Sequence, residues 1–387
     1  MRYLTAGESH GPELTAIIEG FPAGLEISEA ELNTELARRQ KGYGRGGRMK
    51  IEQDTVKITA GVRHGKTLGS PITLSISNRD WKNWQTVMAP QPVEKKAEDL
   101  RRVVRPRPGH ADLVGGMKYR HRDLRNVLER SSARETALRV AIGGLAKQLL
   151  TALDIEVASH VVELGGITTT PAELTLKEIQ QRSEASAVRV VDPTVEAAMI
   201  EKIDATKKNG DTLGGVVEVR VANVPAGLGS YVQWDRKLDG KLAQAILSIN
   251  AFKGVEFGVG FTAAKHPGSE VMDEITWDET TGFKRATDYL GGFEGGMTNG
   301  EQIIVRGVMK PIPTLYRPLN SVDIETKAVY KASVERSDTT AVPAAAVVAE
   351  NVVATIIANE ITETFHSDSL TELQHEFQTY KERLKNF

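Results

Sequence analysis

Residues 134–153 read RETALRVAIGGLAKQLLTAL, and their apolar side chains would lie on nearly every side of a helix. A helix without a polar face has no side to turn to water, so it must be buried between other layers. Residues 341–365 have the same character, but Glu350 and Asn351 interrupt the apolar run. That interruption favours a buried core helix over a membrane-spanning one. Both segments therefore predict central helices that are covered on two sides.

Short β-rich runs surround these two predicted helices. They cover residues 155–164, 215–224, 255–261 and 302–309. Nearer the start of the chain, a capping-box pattern at Ser28 predicts a helix over 29–39. Alternating apolar residues predict a pair of strands at 51–62 and 71–77. Helices and strands do not alternate one for one, as they would in a doubly wound sheet. We expect an α+β fold, with antiparallel sheets on central helices and residues 1–387 in one domain.

Composition excludes several classes of protein. The chain has 387 residues, 40% of them hydrophobic and 26% charged, which is enough for a self-sufficient core. It has no cysteine, so disulfide scaffolds, cysteine-ligated metals and thiol nucleophiles are excluded. The first ten residues leave no room for the apolar core of a signal peptide. We expect a cytoplasmic protein with neither a membrane nor a nucleic-acid partner.

The formal net charge of −2 hides a strong segregation of charge. Residues 38–66 hold nine Lys/Arg and two acids, and residues 101–139 hold eleven and four, so each block carries +7. The rest of the chain therefore carries −16. Most cations in the two blocks are arginines, which suit bidentate binding of phosphate and carboxylate. A solvated basic face is the simpler alternative for either block.

The segment from Arg38 to Arg48 interleaves arginines with glycines. It resembles an RGG-type RNA-binding segment, which keeps an RNA-binding protein as the alternative function. It equally resembles an anion cradle, in which glycines let backbone N–H groups approach an oxyanion. Disordered RGG tracts are usually repeated, whereas this segment is single and lies between a predicted helix and a strand. The pattern therefore favours a small anion.

Two histidines and one aspartate are candidates for proton transfer. His10 lies in a glycine-flanked loop and His110 in a turn among arginines, where a histidine can act as a proton donor. His110 and Asp112 also have a spacing that metal ligands use, so a metal-dependent phosphatase is a third option. The sequence has neither an HExxH motif nor a third clustered ligand, and we predict no metal. Asp338 is expected to cap the second core helix and to be a weak base, able to take only a proton that is already acidified.

A similar four-residue sequence precedes each of the two predicted core helices. Residues 129–132 read ERSS and residues 335–338 read ERSD. The hypothesis that follows is a fold with two similar halves, in which these turns occupy equivalent places.

In this order and spacing the motifs resemble the chorismate synthase family. The resemblance rests on residues 7–11, 45–48, 107–112, 129–136, 250–254, 291–296, 310–314 and 335–338. It implies a β-α-β sandwich that assembles as a homotetramer. It also implies a carbon–oxygen lyase that converts 5-enolpyruvylshikimate-3-phosphate to chorismate and phosphate, the last step of the shikimate pathway. The 1,4-elimination needs reduced FMN without net redox change. No flavin-reductase module is expected, so an external reductase would supply the reduced flavin.

The resemblance also implies roles for individual residues. His10 would help the substrate phosphate leave, His110 would protonate reduced flavin, and Asp338 would take the C6 proton together with the flavin. The substrate anions would be bound by Arg39, Arg45, Arg48, Arg107 and Arg134. FMN would be contacted by Arg130, Ser131, Ser132, Asn250, Ala251, Gly295, Lys310, Pro311, Ile312, Pro313, Thr314 and Arg336. Some descriptions of the family add a nicotinamide dinucleotide (NADP) at positions matching Arg39 and Arg45, where no independent nucleotide motif is found.

Overall fold

The computed structural model describes residues 1–46, 53–169, 173–335 and 337–387. The strands, in chain order, are β1 (Arg2–Ala6), β2 (Glu13–Glu19), β3 (Val56–Ala60), β4 (Val62–Arg63), β5 (Lys66–Thr67), β6 (Ile72–Ser77), β7 (Glu156–Leu164), β8 (Ile167–Thr168), β9 (Gly215–Ala222), β10 (Phe252–Phe257), β11 (Ile275–Asp278), β12 (Gly282–Arg285), β13 (Phe293–Glu294), β14 (Met297–Thr298), β15 (Ile303–Met309), β16 (Asn320–Val322) and β17 (Val329–Lys331). The helices are α1 (Glu29–Gln40), α2 (Lys95–Glu98), α3 (Asp112–Tyr119), α4 (Arg125–Ser131), α5 (Thr136–Thr151), α6 (Leu176–Ala185), α7 (Pro193–Lys208), α8 (Leu238–Leu247), α9 (Val342–Thr364) and α10 (Leu370–Lys385).

Two antiparallel sheets enclose a layer of helices. The first sheet has the strand order β1-β2-β6-β3, and the second has the order β10-β15-β9-β7-β8. Helix α5 packs on β2 and β6 of the first sheet, whereas α9 packs on β7, β9 and β15 of the second. Helices α5 and α9 also pack on each other, with α1 and α8 beside them. The predicted β-α-β sandwich with buried central helices is confirmed.

The central helices approach each other closely at a glycine. A Cβ atom on Gly143 of α5 would lie 2.3 Å from the Cβ and 2.4 Å from the carbonyl oxygen of Asn351 on α9. Only a residue without a side chain allows this separation. The neighbouring Gly144 faces the side chain of Leu32 on α1 instead. The Gly143–Gly144 pair therefore lets α5 lie against two helices at once.

A fully buried carboxylate lies in this helix layer. Glu350 of α9 is fully buried and accepts hydrogen bonds from Arg38 (2.8 Å), Lys147 (2.6 Å) and Ser159 (2.7 Å). Burial alone would raise the pKa of Glu350, but the two cations hold it below its ordinary value. This charge explains why α9 is not uniformly apolar. Within the described ranges, α9 is the one helix long and apolar enough to cross a membrane, and most of it is buried.

The boundaries of two predicted strands differ from those of the structure. The strand predicted at 51–62 begins only at Val56, and it ends at Ala60 because Gly61 turns the chain with φ of 82°; positions 51 and 52 lie outside the described residues. The strand predicted at 255–261 is β10, which starts earlier and gives way to a 3-10 turn from Gly260.

The prediction of equivalent turns before α5 and α9 is wrong. Glu129 lies inside a helix, α4, whereas Glu335 lies in an irregular segment. Ser132 caps the short 3-10 turn that leads into α5. Helix α9 begins four residues after Asp338, behind Ala341, so the predicted capping role of Asp338 is wrong as well. The two similar sequences therefore differ in local structure at their described residues.

Candidate active site

A cavity of about 1300 Å³ lies where the N-terminal ends of α5 and α9 meet. Among the described residues that line it are eight Lys/Arg and three Asp/Glu, so its wall is strongly cationic. Pockets for a single small ligand usually measure roughly 300–1000 Å³. The cavity therefore has room for two ligands side by side, and the positive ends of two helix dipoles point towards anions bound there.

The loop that carries His10 connects β1 to β2 and is held by Asn78. Gly7 has φ of 110°, and a Cβ there would lie 2.5 Å from the carbonyl oxygen of Glu13, so the loop needs glycine at this position. The Asn78 amide donates to the carbonyl oxygens of Glu8 (3.1 Å) and Gly11 (2.8 Å). Asn78 directly follows β6, the strand that pairs with β2. His10 is thereby fixed at one end of the first sheet, on the cavity wall.

His10 is held by a buried carboxylate. Both oxygens of Glu129 lie 2.9 Å from His10 Nδ1, and one also accepts the His10 backbone N–H at 2.8 Å. Arg125 donates to the same carboxylate at 3.0 Å. Burial alone would raise the pKa of Glu129, but the bonds from His10 and Arg125 lower it below its ordinary value. An ionised Glu129 therefore keeps a proton on Nδ1 and leaves Nε2 as the ring nitrogen available to a ligand.

His110 is held in the same way by a second buried carboxylate. Its Nδ1 lies 2.6 Å from an oxygen of Asp112, a residue with no exposed surface. Arg107 donates to both oxygens of Asp112, at 2.8 and 3.1 Å. Burial opposes ionisation, but these bonds hold the pKa of Asp112 well below its usual range. Both carboxylate oxygens are occupied, and in the described part of the chain no three His, Asp or Glu side chains cluster as metal ligands would.

Asp338 lies on the cavity wall against the arginine–glycine segment. Its two oxygens are bound by the Gly46 backbone N–H (2.6 Å) and by Arg45 Nε (2.9 Å). These contacts join the end of α1 to the segment that leads into α9. They place Asp338 in the cavity that His10 and His110 also line.

The other predicted arginines form a buried cluster around Asp54. Arg134 donates to both Asp54 oxygens at 2.6 and 2.7 Å, and Arg39 approaches one of them at 3.5 Å. Burial, with Arg134 nearby, lowers the pKa of Arg39 to about 10, so the side chain stays cationic at neutral pH. Arg39, Arg45, Arg107 and Arg134 all line the cavity. Arg48 lies outside the described residues.

The cavity wall is partly apolar. Ile249, Met309, Ala344, Ala345 and Val348 line it, together with the predicted Ser131, Ser132, Asn250, Ala251, Lys310, Ile312, Pro313 and Thr314. The Asn250 amide donates to the Ser131 carbonyl oxygen at 3.1 Å, while its own buried Oδ1 has no hydrogen-bond partner among the described residues. Burial and nearby Lys253 lower the pKa of Lys310. An apolar surface, an unused acceptor and a lysine suit a flat ligand that carries a phosphate.

Three of the described cofactor residues that we predicted do not line this cavity. Arg130 is exposed and donates to the carbonyl oxygens of Thr5 and Gly7, and Pro311 does not line the cavity. Gly295 lies in the β13–β14 turn. The carbonyl oxygen of the adjacent Gly296 accepts a hydrogen bond from the backbone N–H of Leu238, the first residue of α8. Asn250 follows the other end of α8, so a ten-residue helix of about 15 Å separates it from Gly295. Arg336 lies outside the described residues.

Several residues of the site carry no signal by which we could identify them in the sequence. Glu129 is part of a quoted motif, but its burial against His10 joins positions 119 residues apart. Asp54 and Arg125 bind charged partners that only the fold brings near. Trp84 stacks on the His10 ring with centroids 3.7 Å apart, and nothing in its sequence neighbourhood marks it. The sequence indicates the polar groups that face a ligand better than those that hold them.

Comparisons with known proteins show the family of this chain. The sequence model described as chorismate synthase matches residues 1–362. The chain is 69% identical to the chorismate synthase of Enterococcus faecalis and 63% identical to that of Lactococcus lactis subsp. lactis, each over the full length of both proteins. A crystal structure of a chorismate synthase superposes with a TM-score of 0.81 at 43% identity, covering 100% of this chain and 98% of the other. By its sequence, its fold and its relatives, this chain belongs to the chorismate synthase family.

Proposed function

We propose that the cavity binds 5-enolpyruvylshikimate-3-phosphate beside reduced FMN, and that His10, His110 and Asp338 carry the proton transfers. The chain is a lyase of the chorismate synthase family, acting on a small molecule in the shikimate pathway with a flavin cofactor. The observation that carries the proposal is the pair of histidines, each fixed at Nδ1 by a buried carboxylate, on the wall of one cationic cavity. The relatives give no support to RNA binding as an alternative.

The substrate anions are assigned to the arginine side of the cavity. The substrate carries two carboxylates and a phosphate, and guanidinium groups bind both in bidentate fashion. Asp54 is shared between Arg39 and Arg134, so this buried cluster keeps one net positive charge for a ligand. Arg45 and Arg48 complete the proposed set, with Arg107 on the His110 side.

His10 is assigned the proton that neutralises the departing phosphate. The Nδ1–Glu129 bond fixes the ring, so Nε2 is the position from which a proton is delivered. His110, with the same arrangement on Asp112, is assigned proton exchange with the flavin ring.

Asp338 is assigned removal of the C6 proton. One of its oxygens accepts a hydrogen bond from the Gly46 backbone N–H, and the other forms an ion pair with Arg45. A weak base suffices when the proton is removed only after the phosphate has begun to leave. Bound reduced flavin would supply electron density for that departure.

The apolar wall fits the flavin. The ring would lie on Ala344, Ala345 and Val348, the buried Asn250 Oδ1 would accept a hydrogen bond from it, and Lys310 would bind the FMN phosphate. Gly295 lies too far from Asn250 to join them from within the same chain. We keep Arg130, Pro311 and Arg336 as predicted FMN contacts, and Gly295 as a predicted contact from a neighbouring subunit.

The remaining proposals concern the protein as a whole. We infer one domain over 1–387, because a single apolar cluster runs from Leu14 to Phe377. We propose a homotetramer in the cytoplasm, supplied with reduced FMN by an external flavin reductase. Exposed Leu4, Phe261 and Trp277 are apolar surface that subunit contacts would cover. NADP binding at Arg39 and Arg45 stays a prediction.

An anaerobic assay with pre-reduced FMN and 5-enolpyruvylshikimate-3-phosphate tests the function. Chorismate and phosphate should form together over many turnovers without net oxidation of flavin. Phosphate release without flavin that a chelator abolishes would instead indicate a metal-dependent phosphatase. The absence of chorismate would refute the proposal.

Histidine variants test the assigned roles. His10→Ala and His110→Ala should each lower the rate by about 10² or more, as for a removed general acid. His375→Ala, at an exposed position on α10, is the matched control and should leave the rate unchanged. Near-normal turnover of either site variant would remove that histidine from the mechanism.

A further inference from the structure

The indole of Trp84 lies against His10, Arg101 and, at 5.1 Å from the ring centroid, the guanidinium carbon of Arg125. The His10 and Trp84 ring centroids lie 3.7 Å apart with an interplanar angle of 19°. The guanidinium carbon of Arg101 lies 4.0 Å from the Trp84 ring centroid. Two groups this close to one centroid would overlap if they shared a face of the ring. His10 and Arg101 therefore occupy opposite faces of the indole.

The indole itself is firmly anchored. Its Nε1–H donates to Asp80 at 3.1 Å, and its backbone N–H donates to the Trp81 carbonyl oxygen at 2.8 Å. Arg101 has φ of 56°, a left-handed conformation that is uncommon outside glycine. Its carbonyl oxygen accepts a bond from Arg125, the residue that also binds Glu129. Hydrogen bonds therefore connect both His10 and Arg101, the groups that stack on the indole, to the network of Glu129 and Arg125.

The hydrogen bond to Glu129 does not by itself fix the plane of the His10 ring. Both Glu129 oxygens are 2.9 Å from the same atom, Nδ1, so the carboxylate restrains the ring at only one of its two nitrogens. Stacking on the anchored indole adds a second restraint, because the two ring planes lie nearly parallel. The carboxylate and the indole together determine the direction of Nε2.

We propose that Trp84 is a positioning residue for the elimination, holding the His10 ring so that Nε2 stays aimed at the leaving phosphate. This inference rests on the proton-donor role proposed for His10. Trp84 ends the 3-10 turn Arg79–Asn83 that follows β6, and His10 precedes the start of β2, the adjacent antiparallel strand, so both rings lie at the same end of this strand pair. Trp84 acts through His10 and not on the reacting atoms.

A double-mutant cycle tests this role. Trp84→Ala should lower kcat about tenfold while KM changes less than about twofold, because orientation and not binding is lost. In a His10→Ala background the same change should cost less than about twofold, since residues that act as a unit are not additive. An equal cost in both backgrounds would overturn the proposal.

Two further variants separate stacking from packing. Trp84→Phe keeps an aromatic face and should recover most of the loss, whereas Trp84→Leu keeps apolar volume only and should behave like Trp84→Ala. If Trp84→Ala does not fold, the comparison of Trp84→Phe with Trp84→Leu takes its place. Equal turnover rates for Trp84→Phe and Trp84→Leu would overturn the proposal. A crystal structure of Trp84→Leu should show the imidazole turned from its present plane. If His10→Ala keeps normal turnover, the proton-donor role fails separately, and an unmoved imidazole in that crystal structure would overturn the Trp84 inference.

Discussion

The close contact between α5 and α9 makes Gly143→Ala a severe change for a single methyl group. The added Cβ would lie 2.3, 2.4 and 2.6 Å from the Cβ, carbonyl oxygen and Cα of Asn351. Two of these atoms belong to the backbone, so no side-chain rotation relieves the overlap. Ordinary contact needs about 3.4 Å, so α9 must move by about 1 Å. Asn351 also donates to Glu35 and to the Val347 carbonyl oxygen, and the movement would disturb the bond to Glu35.

The expected magnitude follows from two opposing effects. Overpacking of a core costs typically 1–3 kcal/mol, and a backbone contact belongs at the upper end, about 3 kcal/mol. Replacing glycine by alanine inside a helix returns about 1 kcal/mol. The free energy of unfolding should therefore fall by about 2 kcal/mol. With an unfolding entropy of about 0.8 kcal/mol/K for a chain of this length, Tm should fall by about 2–3 °C.

Gly144→Ala is the matched control in the same helix. Its Cβ would lie 2.8 Å from the end of the Leu32 side chain, which can rotate away. The propensity gain is the same, so this variant should have nearly unchanged or slightly raised stability. Urea unfolding followed by circular dichroism, together with thermal scans, gives both values. Equal stability of the two variants, or a stable Gly143→Ala, would refute the close-contact argument.

Three more predictions concern the site. Glu129→Gln removes the charge at His10 Nδ1 and should lower kcat about 10–100-fold, as for other groups that orient a functional histidine; steady-state rates equal to the parent would contradict this. Lys310→Met should weaken FMN binding roughly tenfold, since a charge-assisted bond is lost, and leave substrate affinity unchanged; calorimetric titration with FMN that shows no weakening would remove Lys310 from the phosphate site. Asp112→Asn should lower the free energy of unfolding by about 3 kcal/mol at pH 7, because Arg107 loses its buried partner. Since folding lowers the pKa of Asp112, the stability advantage of the parent over Asp112→Asn is present above about pH 3.8 and declines at lower pH. If the difference between the urea midpoints of the two proteins grows as the pH falls, the assignment is contradicted.

The core helices were predictable because their apolar pattern covers every face. Helices α5 and α9 begin and end within two residues of the predicted boundaries. Their position between the two sheets follows from the same pattern, since a helix without a polar face must be covered on both sides. Strand ends were less predictable, because single residues such as Gly61 decide them.

The site was predictable only as far as local motifs extend. His10, His110 and Asp338 were identified, and all three line one cavity. Glu129 and Trp84 were not, because their contacts with His10 depend on tertiary packing across 119 and 74 positions of sequence. The predicted capping role of Asp338 was wrong because the prediction relied on the local sequence pattern alone. A local pattern suggested a helix start, while α9 begins beyond it at Val342.

The packing of α5 against α9 has a consequence for how the protein is made. Residues 136–151 and 342–364 form the layer on which both sheets rest, so more than 340 residues are synthesised before that layer is complete. Until α9 leaves the ribosome, β7, β9 and β15 of the second sheet lack the long helix that packs on them. Contacts between such distant segments form slowly, and exposed sheet faces aggregate. Newly made chains should therefore depend on chaperones until α9 has been synthesised.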